Sequence, residues 1–498
     1  MPQSTTEHAH VGGRTPKRTN RLGPLAAIVG FLAFVEFTSG VLQGFYVPLL
    51  TDIARHLNVH DADVNWLEGT QLMLSALVVP ALAKLGDMVG HKRMLLVSTA
   101  VTAAASAVLP FTDSFAVFLA AWALQGFYVA WLPLEVALIW SRARGGSHPA
   151  GLTAKAAGVL VAALEGGAIV GALLSGQLVD TMALGTLLII PAALVTICFF
   201  VIWFGVKESP NLAGGRFDTV GMVLIALALV ALTGGLSLLR LNGAGSLIAW
   251  GVIALGLLLV VPFVRYELGN RDPLIDVRMF RNPALWPVFL TAGLFGVSVL
   301  GAQAPLSTFA RTDPALVGYG LGVNGFAVSL IIGIYLIAMV VGALLSGRIG
   351  RLVTPRLMLV GASVLIAIGY LLFLPNHASY AGVIVNMVLA GLGSGALVAS
   401  LPATAASAAP STQTGVATGL TNTVKTVGGA IASCVFGIAL LNAVAGASGT
   451  GTTAGSFSGY VTVWVVCGVT ALIAAACLLF VVPKHAFVDA SAHAAAAD

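Results

Sequence analysis

The sequence predicts an all-α polytopic membrane protein with fourteen membrane-spanning helices. Of its 498 residues, 58% are hydrophobic and only 9% are charged, whereas an ordinary globular chain has roughly 25% charged residues. A soluble protein of this length could not cover its surface with so few charges. The mean hydropathy is +0.98, and the apolar runs repeat at about 20 residues, which is long enough to cross a bilayer. Lipid is therefore the expected solvent of most of the chain.

Fourteen apolar runs are separated by short polar connections, none of which is long enough to fold as a separate domain. The predicted spans start near Leu25, Val64, Met94, Phe115, Lys155, Leu184, Asp218, Ser246, Leu285, Val323, Arg356, Tyr380, Gly415 and Tyr460. The first run is too long for the apolar part of a signal peptide, so we expect it to be a spanning helix.

The positions of the basic residues predict the orientation. With the amino terminus inside, the cytoplasmic segments contain all but four of the 24 Lys and Arg residues. The exceptions are Arg55, Arg240 and Arg311 in external loops and Lys425 within a span. Cytoplasmic loops of membrane proteins carry an excess of Lys and Arg, and an even number of spans places both termini in the cytoplasm. The net charge of +5 therefore reflects topology and does not indicate a nucleic-acid partner.

The sequence lacks the patterns that are typical of enzymes and cofactor sites. It has no Walker loop, no Gly-rich dinucleotide turn after a strand and no His/Cys metal spacing. Its four cysteines, Cys198, Cys434, Cys467 and Cys477, lie in apolar runs without a CxxC pair, which is typical of small buried residues. We expect no catalytic residue, metal or cofactor, so any uphill transport must draw on an ion gradient.

Four carboxylates inside predicted spans are the main candidates for transport chemistry. Glu36 and Glu165 lie near the middle of spans 1 and 5, Glu68 near the external end of span 2, and Glu135 near the internal end of span 4. A charge at the bilayer centre costs about 2.5–3.5 kcal/mol on insertion scales, so such residues normally face protein or water. We interpret the four as proton or cation sites. The alternative is that each only hydrogen-bonds a neighbouring helix and holds the bundle together.

Two polar stripes at helical spacing predict the walls of a substrate cavity. Glu36, Ser39 and Gln43 share one face of span 1, and Glu68 and Gln71 share one face of span 2. A polar stripe on an otherwise apolar span must face the interior of the protein. We therefore expect both stripes to line the cavity.

Lys425 is the only basic residue deep in a predicted span. A lone lysine there needs a carboxylate or carbonyl partner, and a pair with Glu36 or Glu165 would form a charge switch. A purely structural role is the equal alternative. Asn386 is a further candidate for polar contact with a substrate, although an amide within a span more often bonds a neighbouring helix.

Aromatic residues crowd spans 1 and 4, among them Tyr46, Trp122 and Tyr128. Beside carboxylates they would suit a bulky, apolar or cationic ligand through stacking and cation–π contacts. Ordinary packing and anchoring at the membrane interface is the other interpretation. We include these three residues and Gln125 among the candidate cavity residues.

The loop after span 2 reads Ala83-Lys-Leu-Gly-Asp-Met-Val-Gly-His-Lys-Arg-Met-Leu95. It resembles the signature loop of the major facilitator superfamily, Gly-x-Leu-x-Asp-x-x-Gly followed by two basic residues. Gly90 permits a sharp turn, Asp87 can cap or pair at a helix terminus, and Lys92 and Arg93 hold the loop inside. The resemblance implies that these four residues belong to a conformational gate.

Two further segments resemble the fourteen-span drug:proton antiporters of that superfamily. One is RDPLIDVRMFRN at 271–282, and the other is LPATAA from Leu401 with the following Gly415–Gly429. Trp66 at the start of span 2 and Gln125 in span 4 match as well. The resemblance covers nearly the whole chain. It implies two six-helix bundles with two spans inserted between them, and a substrate cavity between the bundles near the midplane.

On this basis the chain divides into five expected regions. They are a cytoplasmic tail at 1–23, a six-helix bundle at 24–206, the inserted pair with its cytoplasmic loop at 207–283, a second six-helix bundle at 284–483 and a tail at 484–498. The inserted spans have almost no polar residues in their middle, which favours an accessory, lipid-facing pair.

Several positions depart from the family pattern. In the signature loop, Ala83 and Met88 replace a glycine and a basic residue. Three further departures alter features linked to proton-coupled export. Trp122 replaces the arginine that usually lies three residues before the span-4 glutamine, Ala172 replaces the proline of the span-5 antiporter motif, and Ser39 occupies the usual position of a span-1 aspartate.

We expect a secondary transporter of the bacterial cytoplasmic membrane that acts as a monomer. It would export hydrophobic or cationic drugs or natural products in exchange for protons. The first alternative is a proton-uncoupled facilitator, an importer or a lipid translocator on the same fold. The second is a non-transporting membrane receptor or assembly protein.

Overall fold

The structure is a computed structural model that describes residues 26–143, 149–209, 216–409, 413–441 and 453–482. These residues contain fourteen helices long and apolar enough to cross a membrane, which confirms the predicted number. They are span 1 (Ala26–His56), span 2 (Asp61–Val89), span 3 (His91–Phe111), span 4 (Phe115–Ala143), span 5 (Gly151–Leu178), span 6 (Leu184–Gly205), span 7 (Thr219–Asn242), span 8 (Leu247–Gly269), span 9 (Trp286–Arg311), span 10 (Gly325–Gly350), span 11 (Pro355–Asn376), span 12 (Tyr380–Ala408), span 13 (Thr414–Leu441) and span 14 (Phe457–Phe480). The two predicted tails lie outside the described residues.

Span 1 changes helix type near its end. It is an α-helix over Ala26–Phe45, a 3₁₀ turn over Val47–Leu49 and a short α-helix over Leu50–His56. Pro48 lies in the 3₁₀ turn, since proline has no N–H to donate to a continuing α-helix.

Span 4 has a similar interruption. The α-helices Phe115–Gln125 and Trp131–Ala143 are joined by a 3₁₀ segment over Gly126–Ala130. A Cβ on Gly126 would lie 2.7 Å from the carbonyl oxygen of Gln71 in span 2. Glycine therefore permits the close approach of spans 2 and 4 at this point.

Spans 1–6 and spans 9–14 form two six-helix bundles, each with its own buried apolar core. Phe118 and Trp131 are fully buried in the first core, and Phe289 and Phe436 are fully buried in the second. Between helices in lipid, association depends on close packing and interhelical hydrogen bonds. The architecture is that of the predicted fold, with spans 7 and 8 added between the bundles.

Both bundles contain spans that make backbone contact through glycines. A Cβ on Gly40 of span 1 would overlap the carbonyl oxygen of Leu164 in span 5. A Cβ on Gly296 of span 9 would overlap the carbonyl oxygen of Lys425 in span 13. Small residues allow helices in membranes to approach this closely. The pairing of spans 1 and 5 is therefore repeated by spans 9 and 13.

Spans 7 and 8 pack against each other and against the seam where spans 2 and 13 meet. Leu236 and Leu239 of span 7 cluster with Trp66 of span 2 and Cys434 of span 13. The outer surface of the pair carries exposed apolar side chains, such as Leu258 of span 8. The inserted pair thus has an apolar outer surface, which suits the predicted lipid contact, and it also covers a seam between the two bundles.

Arg240 binds span 7 to the first bundle. It lies in the last turn of the helix and forms an ion pair with Asp63, with its Nε 2.8 Å from Asp63 Oδ1. Its guanidinium also lies over the rings of Trp66 and Phe115, at 5.7 Å and 5.6 Å from their centroids. Contacts of this kind are stronger where water is excluded.

A single residue, Gly90, connects spans 2 and 3 and has a φ of +126°. Glu208, which follows span 6, binds the start of span 3. Its Oε1 accepts a hydrogen bond from Lys92 N at 2.9 Å, and its Oε2 accepts one from Arg93 N at 3.1 Å. A carboxylate at a helix start is stabilised by the unpaired N–H groups and by the helix dipole. The loop between spans 2 and 3 is therefore held by the end of span 6.

Two further side chains strengthen this junction. The ring of His91 lies between Asp87 and Ser209, with Nε2 3.2 Å from Asp87 Oδ1 and Nδ1 2.8 Å from Ser209 Oγ. Arg142 of span 4 donates a hydrogen bond to the carbonyl oxygen of Glu208 at 2.7 Å. The ends of spans 2, 3, 4 and 6 are thus joined in one polar network.

We expect Gly90→Ala to destabilise the protein. An alanine is strained at this φ, and its Cβ would lie 2.5 Å from Glu208 Oε2. Backbone strain of this kind costs on the order of 1–3 kcal/mol. The measurement is the unfolding temperature of the purified protein in detergent, with Gly158→Ala as the control because nothing lies within 4 Å of its Cβ position. If both variants unfold at the wild-type temperature, Glu208 does not hold the loop as described.

Candidate functional site

In the described residues, every hydrogen bond and ion pair that joins the two bundles lies at one face, where spans 1 and 5 end. Arg311 NH2 lies 3.0 Å and 3.1 Å from the carboxylate oxygens of Asp52, and its NH1 lies 3.6 Å from Asp180 Oδ1. Ser307 Oγ donates a hydrogen bond to the carbonyl oxygen of Val47 at 2.5 Å. We call this the closed face. The other face, which carries the loop between spans 2 and 3, is the opposite face.

Between the bundles, Glu165 of span 5 and Lys425 of span 13 interact electrostatically. Both side chains are half-buried, and in the described residues no ion pair joins them. Tyr335 of span 10 lies close enough to Glu165 to interact electrostatically with its carboxylate. Of the two partners that the sequence suggests for Lys425, Glu165 is therefore the one that the structure places near it. The role of the Glu165–Lys425 pair in transport stays a prediction.

Glu36 and Glu135 meet inside the first bundle. Both side chains are fully buried, and their carboxyl groups lie within hydrogen-bonding reach of each other. In the described residues, no other group hydrogen-bonds to their four oxygens. Cys198 of span 6 and Thr38 of span 1 lie beside the pair. The two residues approach the opposite face to similar depths on antiparallel spans, which explains why they meet.

Four predicted cavity residues form a packed network next to the closed face. Gln125 Nε2 donates hydrogen bonds to Tyr46 Oη at 2.9 Å and to Ser106 Oγ at 2.8 Å. The rings of Tyr46 and Trp122 are 4.7 Å apart, and Gln71 Nε2 donates to the carbonyl oxygen of Trp122 at 3.4 Å. All four residues are buried in this conformation because they pack on and bond to one another. Their contact with a substrate stays a prediction.

The other predicted cavity residues lie in unlike environments. Ser39 is buried, whereas Gln43, from the same stripe, is exposed. Glu68 is half-buried and lies in electrostatic range of Tyr128 of span 4. Asn386 of span 12 is fully buried, and in the described residues neither atom of its amide has a hydrogen-bond partner. Whether these residues line a substrate cavity stays a prediction.

The predicted gate residues are held within the first bundle. Asp87 bonds His91 and does not cap span 3, since Glu208 occupies that helix start. Lys92 and Arg93 contact Glu208 through their backbone N–H groups, and Lys92 Nζ donates to the carbonyl oxygen of Trp203 at 2.8 Å. Sequence reasoning missed Glu208. The sequence feature that could have identified it is a carboxylate directly after span 6, on a face where basic residues predominate.

The two bundles differ in their supply of carboxylates. The first bundle contains Glu36, Glu68, Glu135 and Glu165 within its spans. Between residues 284 and 483 the sequence contains only one acidic residue, Asp313, and it lies in the connection between spans 9 and 10. Of the two bundles, only the first can therefore bind protons on carboxylates within its spans.

Comparison with known proteins gives relatives along most of the chain. Cephamycin export protein CmcT of Amycolatopsis lactamdurans is 28% identical over 456 residues, which cover 90% of this chain and 90% of that protein. The tetracenomycin C resistance and export protein of Streptomyces glaucescens is 26% identical over 410 residues, which cover 79% of this chain and 71% of that protein.

The fold is also found among solved structures. A bacterial homologue of the human lysosomal transporter Spinster, in an inward-facing and unoccupied conformation, superposes with a TM-score of 0.64 at 14% identity. The match covers 93% of this chain and 98% of that one. The family model described as Major Facilitator Superfamily matches residues 32–433. With fourteen spans, two six-helix bundles and this match, the chain belongs to the major facilitator superfamily of membrane transporters.

Proposed function

We propose that the protein exports hydrophobic or cationic small molecules of the drug or natural-product class in exchange for protons. The observation that carries this proposal is the contact between two fully buried carboxyl groups, Glu36 and Glu135. The names of the relatives, which export cephamycin or confer tetracenomycin C resistance and export, support the substrate class. The protein acts as a monomer in the bacterial cytoplasmic membrane.

The distribution of basic residues supports the orientation. Lys and Arg concentrate on the opposite face, which is therefore the cytoplasmic one, and both tails lie on that side. The closed face is then external, and the conformation is inward-facing. Alternating access requires the ion pairs of Arg311 with Asp52 and Asp180 to break while the bundles close on the cytoplasmic side.

The proton site is the pair of Glu36 and Glu135. Two carboxyl groups in contact inside an apolar bundle cannot both be ionised, because the charges repel and burial disfavours each of them. The pair therefore holds a proton, and losing it would leave repelling charges without other partners. The 3₁₀ segments at Val47–Leu49 and Gly126–Ala130 lie between the pair and the closed face. Repulsion between spans 1 and 4 can bend these segments and loosen the closed face.

The substrate site lies between the bundles, around Glu165. This carboxylate is half-buried in the gap and interacts with Lys425 without an ion pair. A cationic substrate can therefore replace Lys425 as the nearest positive charge. The ring of Tyr335 nearby offers a surface for stacking or cation–π contact.

The loop with Asp87, Gly90, Lys92 and Arg93 holds the spans of the first bundle together during the conformational change. Its hydrogen bonds join spans 2 and 3 to Glu208 and, through Arg142, to span 4. We infer that the first bundle moves as a rigid body and that the gate opens between the bundles.

A specific observation favours the alternative of a carrier without proton coupling. Trp122, at the position of the usual arginine, is buried and packs on Tyr46 and Phe118. The arginine of span 4, which the family links to proton coupling, is therefore replaced by a neutral, packed side chain. In this alternative the pair stays protonated throughout the cycle, and substrate flux ignores the proton gradient.

We expect Glu36→Gln and Glu135→Gln each to lower substrate-driven proton movement by about tenfold or more, because an amide does not bind a proton at neutral pH. The measurement uses proteoliposomes that contain a trapped pH-sensitive dye and an imposed proton gradient, to which lipophilic cations and neutral drugs are added. Asp113→Asn, at a highly exposed loop carboxylate, is the control. Unchanged proton movement in both glutamine variants would place the proton site elsewhere. Wild-type substrate flux that ignores the gradient would support the uncoupled carrier.

We expect Glu165→Gln to weaken the binding of a lipophilic cation such as tetraphenylphosphonium by about tenfold, which corresponds to about 1.4 kcal/mol. Lys425→Gln removes a competing charge and should strengthen the same binding several-fold. The measurement is the dissociation constant of the cation, compared with that of a neutral substrate, which both changes should affect little. Equal effects on cationic and neutral ligands would mean that the pair has a structural role only.

We expect Arg311→Gln to open the closed face in a larger fraction of molecules, since the change removes both ion pairs between the bundles. The measurement is the distance distribution between spin labels at Phe111 and Leu316, two exposed positions at this face. Arg55→Gln is the matched control, because Arg55 pairs with the same Asp52 within the first bundle. Identical distributions in wild type and Arg311→Gln would mean that these pairs do not hold the face closed.

A further inference from the structure

A polar groove of about 1000 Å³ lies at the opposite face, where span 7 begins and span 8 ends. Three arginines line it: Arg216 before span 7, Arg265 in span 8 and Arg271 after span 8. Phe217 and Tyr266 complete much of its wall. None of the residues that line it belongs to the proposed proton pair or to the proposed substrate site.

The three arginines give this groove its positive charge. All three arginines are exposed, and within the described residues none of them forms an ion pair. A guanidinium presents several N–H donors in a planar fork that matches the oxygens of a phosphate group. Three such groups around one cavity therefore indicate a phosphate-bearing ligand.

The neighbouring acidic groups leave the groove positive. Asp218 is occupied, because its Oδ1 accepts a hydrogen bond from Gly221 N and its Oδ2 accepts one from Asn270 Nδ2, both at 2.8 Å. Glu267 is fully buried beneath the groove. Asp272 is the one exposed carboxylate that lines it, against three arginines.

The surface around the groove is apolar and suits contact with lipid. Val220 and Val223 of span 7 and Leu258 and Val261 of span 8 are between 46% and 65% exposed, and they continue from the groove along the two spans. Tyr266 is 39% exposed at the end of span 8, where aromatic rings commonly lie at the level of the lipid headgroups. A ligand with a charged head and apolar chains fits both surfaces.

We propose that this groove binds the phosphate-bearing headgroup of an anionic phospholipid, with the acyl chains along spans 7 and 8. Basic clusters at the ends of spans attract anionic lipids, and the three arginines supply the binding groups. The bound lipid would hold the inserted pair in place over the seam between spans 2 and 13. The site requires neither proton coupling nor a particular direction of transport.

The test measures lipid binding to the purified full-length protein by native mass spectrometry. Phosphatidylglycerol and phosphatidylcholine of the same chain length are added in turn, and the variants are the triple change R216Q/R265Q/R271Q and the single reversal Arg271→Glu. Arg348→Gln is the matched control, because Arg348 is an exposed arginine at the same face, at the end of span 10. Unfolding temperatures establish that each variant is folded.

The wild type and Arg348→Gln should bind phosphatidylglycerol about tenfold more tightly than phosphatidylcholine. The triple variant should lose this preference, and Arg271→Glu should reduce it even if the triple variant does not fold. Equal binding of the two lipids by the wild type, or an unchanged preference in folded groove variants, would overturn the proposal. Displacement of phosphatidylglycerol by millimolar inorganic phosphate would show that the groove binds free phosphate instead of lipid.

Discussion

Hydrocarbon offers neither water nor hydrogen bonds to a charged side chain, and this constraint decides where the ionisable groups of the fourteen spans lie. Glu36 and Glu135 are buried against each other inside the first bundle. Glu165 and Lys425 face the gap between the bundles, where their charges interact. Arg240 reaches Asp63 and two aromatic rings at the edge of the inserted pair. These ionisable groups therefore lie at junctions between helices.

The same constraint makes the contacts within a bundle different from the contacts between the bundles. Within a bundle, backbones touch directly, as at Gly40 with Leu164 and at Gly296 with Lys425. Such packing has few alternatives, because any side chain added at the glycine would collide with the neighbouring helix. Among the described residues, the polar contacts between the bundles lie at one face, and they can break without disturbing a core. Under the proposed alternating access, movement therefore occurs at the plane between the bundles.

Hydropathy was enough to predict the spans, because the length of an apolar run is set by the thickness of the bilayer. It could not predict that Glu36 and Glu135 meet, since depth along a helix does not give the direction of a side chain within a bundle. For the same reason, the sequence could not predict the contacts among Tyr46, Gln125 and Trp122. The sequence predicts that these residues line the cavity, which stays a prediction, and in this conformation they bond and pack on one another.

Glu208 shows a different limit. Nothing in the sequence near span 3 indicates that its start is bound by a residue more than a hundred positions later. The signature loop identifies the turn at Gly90, but tertiary packing selects the carboxylate that binds the helix start. Local motifs of this kind predict backbone geometry better than they predict partners.

The unequal supply of carboxylates has a consequence for how such a protein can change over time. Two bundles of similar architecture suit an origin by duplication, yet only the first retains acidic groups inside its spans. Under the proposed mechanism, substitutions in spans 9–14 can then alter which compounds are accepted while the proton chemistry stays intact. Natural variation and directed evolution of substrate range should therefore concentrate in the second bundle, and the first should tolerate far fewer changes.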